Sequence, residues 1–189
     1  MQKDIHTEDS PLDNKIVYQD SLPLSISLAQ AADSLSSSEQ RTNLDVLRAF
    51  WSFHETTADD LKEHPELHAH LERIELKLDM QSEMLAMLLR QSIKLPDVQS
   101  FSLGAEYFLT TLDSPYPVDS IMRIELFLLM GYPRPLVFFA KLLAQETVDG
   151  AYQCRFGLQG LDMEAVDLLE KILFRHHRRQ IAHLRHKKP

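Results

Sequence analysis

The sequence predicts an α+β fold: a small antiparallel β domain, closed by a C-terminal helix, into which a pair of helices is inserted. Three observations carry this reading. Residues within 15–29 and 98–159 alternate apolar and polar positions with the period of strands, whereas 36–95 follows helical spacing. All five glycines, Gly104, Gly131, Gly150, Gly157 and Gly160, lie after position 103, so the residues that most readily make φ > 0 turns are confined to the later strand region. A strand ahead of the helices needs a sheet to join. Only the later one is available, which makes the helices an insertion within a single domain over 15–189, preceded by a flexible N-terminus over 1–14.

The first strand signal is KIVYQDSLPLSISLA (15–29), with Leu22, Leu24, Ile26 and Leu28 in clean alternation. Pro23 has no N–H to give a ladder, so the run reads as an edge strand or as two short strands bent at Ser21–Pro23. The first inserted helix starts at Ser36, Ser37 or Ser38, any of which can cap, with Glu39 and Gln40 in the first turn. Leu44, Leu47, Phe50, Trp51 and Leu61 outline its apolar stripe, interrupted near Thr56–Thr57.

The second helix begins near Pro65 and runs towards Pro96, whose ring disfavours helix at the residue before it. At about 1.5 Å per residue it spans roughly 45 Å. Leu67, Leu71, Ile74, Leu78, Gln81, Leu85 and Leu88 recur at alternating four- and three-residue spacing, a heptad seam with one polar position. A second apolar line, Leu76, Met80, Met84 and Met87, runs beside it. Part of this surface is expected to be buried in an intramolecular hairpin with the first helix. Two apolar faces exceed what a hairpin absorbs, because monomers rarely expose apolar patches beyond a few hundred Å². Self-association through the seam is therefore the expected use, and Gln81 is placed to set its register.

Four strands are expected after the helices, in 98–112, 118–130, 135–146 and 151–159. They are separated by Ser114–Pro115 with Pro117, by Gly131 with Pro133 and Pro135, and by Asp149–Gly150, a tight-hairpin dipeptide. An antiparallel meander fits these short connections. A last helix over 162–185 follows, with Asp162 as its N-cap and Val166, Leu169, Ile172, Leu173 and Ile181 as its apolar face. Cys154 alternates with Tyr152 and Phe156 and reads as a buried thiol in a strand.

Composition narrows the function classes. With 28 acidic and 20 basic residues the formal charge is −8, against a nucleic-acid binder or an anionic membrane surface as partner. No run approaches the roughly 18 apolar residues of a membrane-inserting helix, and MQKDIHTEDSPLD lacks a secretory apolar core, so a cytoplasmic protein is expected. The chain has no G-x-S-x-G elbow, no H-E-x-x-H, no Gly-rich phosphate loop and no cysteine cluster. It reads as a non-enzyme. His176, His177, His183 and His186, like His64, His68 and His70, lack the carboxylate or cysteine partners of a metal set, and no metal or cofactor is expected. The run RHHRRQIAHLRHKK (175–188) complements the dipole of the last helix.

The order of a strand carrying S-x-G (Ser102, Gly104, with Phe108 further on), a strand ending in Phe156–Gly157–Leu158, and a C-terminal helix with an arginine-rich end resembles the PilZ domain. The opening VYQDSLPLSIS, the helix with NLDVLRAF, the long helix ERIELKLDMQSEMLAMLLRQ and the LP before the S-x-G strand are similar to the atypical, tetramer-forming PilZ subfamily. The resemblance implies a six-stranded β-barrel with inserted heptad-bearing helices. It further implies a homo-oligomer, specifically a tetramer, a protein partner in signalling or surface motility, and cyclic di-GMP as the ligand of the superfamily.

The ligand motifs of that superfamily are only partly kept. The R-x-x-x-R expected ahead of the first strand is missing, with only Lys3 and Lys15 available, and lysine replaces bidentate arginine poorly. Of the [D/N]-x-S-x-x-G motif, Ser100 stands at the acidic position, Ser102 is kept, and Ala105 occupies the last place with Gly104 one residue earlier. A non-standard cyclic di-GMP site would therefore draw on Ser100, Ser102 and Gly104, with arginines of the C-terminal stretch. Arg90-x-x-x-Lys94 reads as a solvated pair at the end of the long helix. The reading that results is a non-catalytic adaptor that assembles through its heptad helix and presents its barrel to a protein partner.

Overall fold

A computed structural model describes residues 16–30, 33–53, 65–90, 94–129, 131–132, 134–148 and 150–186. The expected flexible stretch 1–14, Leu61, Thr56–Thr57, His64 and Asp149 lie outside these residues. Six strands, β1 (Tyr18–Leu28), β2 (Val98–Leu103), β3 (Tyr107–Leu112), β4 (Ile121–Leu126), β5 (Leu136–Val148) and β6 (Ala151–Gln159), accompany three helices, α1 (Ser37–Phe53), α2 (Pro65–Arg90) and α3 (Met163–His186). The strands close into an antiparallel barrel in the order β1-β2-β3-β6-β5-β4, with β4 returning to β1. The α+β fold with inserted helices and a C-terminal helix is as the sequence predicts.

Closure depends on β1. Its first half pairs with β2, from Tyr18 opposite Leu103 to Pro23 opposite Val98, and its second half pairs with β4, from Leu24 opposite Leu126 to Leu28 opposite Met122. Pro23 sits where the strand changes partner, so its missing N–H costs no ladder bond, while its carbonyl accepts from Phe127 N at 3.1 Å. The two expected short strands are thus one strand with two partners.

Two expectations about the later strands are corrected. Residues 98–112 form two strands, because Gly104, Ala105 and Glu106 make a tight connection closed by Gly104 N donating to Tyr107 O at 2.9 Å. The meander is also broken: β3 pairs with β6, and the chain crosses to β4, so that β3 and β4 are not neighbours. Short connections favoured a meander. Barrel closure requires the longer 113–120 link to change sides.

Aromatic rings fill the barrel: Phe108 meets Phe101, Phe138 and Phe156 at centroid distances of 5.7, 5.6 and 6.4 Å. Cys154 is buried beside them, and burial pushes its thiol up from its ordinary pKa, as suits an inert core residue. Ala165, Leu169, Ile172 and Leu173 of α3 and Val46, Leu47 and Phe50 of α1 continue the same core outside the barrel. Asp162 caps α3 by accepting from Ala165 N at 2.8 Å. Ser36 caps α1 in a reciprocal box, its Oγ accepting from Glu39 N (3.3 Å) and its N–H donating to Glu39 Oε2 (2.8 Å).

Among the described residues the inserted helices do not bury each other as expected. α1 packs on α3 and on β5, which already match its apolar face, and α2 is left with its large apolar side chains in solvent.

Candidate functional site

Three surface features carry chemistry. The first is α2, 26 residues and therefore about 39 Å long. The seam residues Leu67, Leu71, Ile74, Leu78, Leu85 and Leu88 are between 36% and 61% exposed, and Leu76, Met80, Met84 and Met87 between 54% and 64%. Gln81 is exposed with them. At 3.6 residues per turn the two lines lie roughly 140° apart around the helix, so they form two faces and not one broad stripe. The structure brings all seven seam residues to one face, as the heptad spacing predicts.

Burying a large aliphatic side chain is worth about 1.5–3 kcal/mol. Ten such side chains with about half their surface outstanding amount to roughly 10 kcal/mol per helix, comparable with the roughly 4–15 kcal/mol that association costs. One face supports a marginal contact. Both together bring the gain level with that cost.

The second feature is a polar groove of about 540 Å³ on the outer barrel surface, where Gln19, Ser21, Ser100, Ser102 and Gln153 converge from β1, β2 and β6. Strand alternation explains the placement, since Phe101 and Leu103 point into the core and the serines between them point out. Ser21 and Ser100 share a hydrogen bond at 2.8 Å across the β1–β2 ladder. Asp20 accepts from the Tyr18 hydroxyl and from Ser21 N, and burial together with Asp20 pushes the Tyr18 phenol far above its usual pKa.

Of the three candidate ligand residues, Ser100 and Ser102 meet in this groove and Gly104 does not. A Cβ at Gly104 would lie 2.7 Å from the Tyr107 ring. The glycine exists to seat that buried tyrosine. Among its described lining residues the groove has no lysine, arginine or histidine.

The third feature lies between α1 and α3, where Trp51, Lys171, Phe174, Arg175, Arg178 and Arg179 line an open groove of about 440 Å³. The Arg175 guanidinium stands 4.2 Å from the Trp51 ring centroid. The sequence displays Trp51 as part of a helical stripe and the arginines as a basic run. Their juxtaposition is a tertiary fact with no sequence signal of its own, and Phe174, off the apolar face of α3, is the one residue that hints at it. Among the described residues no group of three His, Cys, Asp or Glu is arranged for a metal. His176 instead packs edge-on against Tyr18 at 4.8 Å, and His68 pairs with Glu72 at 3.3 Å. His183 and His186, like the side chain of Arg90, lie outside what is described. No described helix is long and apolar enough to cross a membrane.

Residues 47–186 match the family described as "atypical PilZ domain, cyclic di-GMP receptor". Among solved structures the chain is similar to a pathogenic protein of Xanthomonas campestris, described as a new tetrameric PilZ domain self-assembled via an unusual helical bundle. The similarity has a TM-score of 0.69 and 23% identity, and it covers 90% of this chain and 92% of that one. No curated protein matches the chain.

Proposed function

This chain belongs to the atypical PilZ domain family, a family of cyclic di-GMP receptors, and from that premise we propose that it works by assembly: α2 joins copies into a homo-oligomer that presents barrel surfaces to a protein partner in a cyclic di-GMP-linked pathway. The observation that carries this is the pair of exposed apolar faces on α2. A helix with two such faces can contact two neighbours, the arrangement of a bundle, and a structural neighbour is described as a tetramer built by a helical bundle. Leu67, Leu71, Ile74, Leu78, Gln81, Leu85 and Leu88 form the interface, with Met80, Met84 and Met87 on the second face. The protein acts in the cytoplasm and without catalysis.

Replacing Leu78 and Leu85 together by Asp tests this. Two carboxylates buried at seam positions cost several kcal/mol each unless paired, so light scattering is expected to show the mass of a monomer while circular dichroism shows the barrel unchanged. An unaltered mass with an intact fold would sink the interface.

A second reading, a nucleotide receptor with a non-standard site, is favoured by the family description and by the convergence of Ser100 and Ser102 on one groove. Calorimetric titration of the full chain with cyclic di-GMP, with GTP as control, separates the two. Selective saturable heat supports the receptor, and none well above micromolar concentration leaves assembly alone.

A further inference from the structure

The serine groove is poorly matched to a ligand with two phosphates, because no cation is among its described lining residues. The groove between α1 and α3 has the opposite character. Four of its six lining residues are cations, concentrated in a chain whose formal charge is −8. Lys171, Phe174 and Arg178 follow at spacings of three and four on α3 and so share one face.

Phe174 is 52% exposed, an unusual state for a phenylalanine on a helix, and Arg178 lies 5.9 Å from its ring centroid. Lys171 and Arg178 form no ion pair among the described residues. Trp51, with Arg175 against its ring, makes the opposite wall. Rings that accept a planar base, beside cations that accept phosphate, are the two components of a nucleotide site.

We propose that this α1–α3 groove binds a dianionic purine dinucleotide, cyclic di-GMP being the one its family description names, with a base on Phe174 and phosphates on Lys171 and Arg178. The proposal rests on the receptor reading above and relocates its site from the serines of the barrel to the helices.

Trp51 is the only tryptophan in the chain and lines the groove, which provides an internal reporter. Full-length protein is titrated with cyclic di-GMP, following tryptophan fluorescence and heat together, for the wild type, Lys171→Ala/Arg178→Ala, Phe174→Ser and Ser100→Ala/Ser102→Ala. All the substituted side chains are exposed or half-exposed, and circular dichroism checks each fold. The wild type is expected to show a saturable fluorescence change. The lysine–arginine variant and the Phe174 variant are expected to bind at least tenfold more weakly, and the serine variant within twofold of wild type. Loss in the serine variant alone, or heat without any fluorescence change, would overturn the site and leave the receptor reading standing. Absence of both signals in the wild type would overturn the site and the receptor reading together.

Discussion

Asn43 is completely buried in α1, and its amide meets both backbone groups of Val137 at the start of β5: Nδ2 donates to Val137 O at 2.7 Å, and Val137 N donates to Oδ1 at 2.8 Å. A buried backbone group left without a partner costs about 1–3 kcal/mol. Asn43→Ala strands both, so we expect a loss of about 2–4 kcal/mol in urea denaturation with an unchanged slope. Asn43→Asp keeps the acceptor, loses the donor and buries a charge, and it is expected to be at least as damaging. A loss below about 0.5 kcal/mol for the alanine variant would show that water replaces the clamp. The sequence offers one trace of this residue: asparagine is a poor helix former, so its place mid-helix asks for a reason. It cannot say that the reason is Val137, 94 positions away. Gly104 is similar. Its motif-like position suggested ligand contact, and the space it leaves is taken by a tyrosine ring.

At the level of elements, α1 is tied to the barrel by charge as well as by packing. Arg123 on β4 reaches Glu39 at 2.8 Å and Glu125 at 3.0 Å. The hydrogen bonds of Ser36, with Arg123 beside them, hold the Glu39 carboxyl, ordinarily near 4.5, down at about 2. A carboxyl depressed in the folded state stabilises fully above its unfolded value and loses that contribution as pH falls through the window from about 4.5 to 2. Glu39→Gln removes this titration. The wild type should therefore exceed the variant in urea midpoint near pH 7, and the gap should narrow as pH falls below about 4.5 and close only at about pH 2 or below. A gap independent of pH would mean that the ion pair contributes nothing.

This helix start was legible, because S-x-x-E is a local pattern whose partners are three residues apart. The helix α2, with its apolar lines, was legible for the same reason. The division of 98–112 into β2 and β3 was not, since alternation continues on both sides of Gly104–Glu106 and only one glycine marks the turn. Nor was the β3–β6 pairing, a choice among partners that closure decides. The packing of α1 onto α3 in place of α2 depends likewise on which surfaces the finished barrel offers, and the α1–α3 groove inherits that dependence.

For the whole molecule, the barrel and α1–α3 share one core, and α2 stands largely outside it. Folding of the barrel and association of α2 are then separable, and mass action distinguishes them. When association stabilises the folded state, the melting temperature rises with protein concentration, because the unfolded chain does not bind and the oligomer does. The wild type is expected to melt several degrees higher across a hundredfold increase in concentration, whereas Leu78→Asp/Leu85→Asp should melt at one temperature throughout. That temperature measures the barrel alone. If the variant also fails to hold its fold, then the apolar faces of α2 complete the core by contacts between copies, and the barrel is stable only within the assembly. A wild type whose melting temperature ignores concentration, in a range where light scattering shows it to be monomeric, would leave roughly ten exposed apolar side chains unaccounted for and refute assembly as the function of α2.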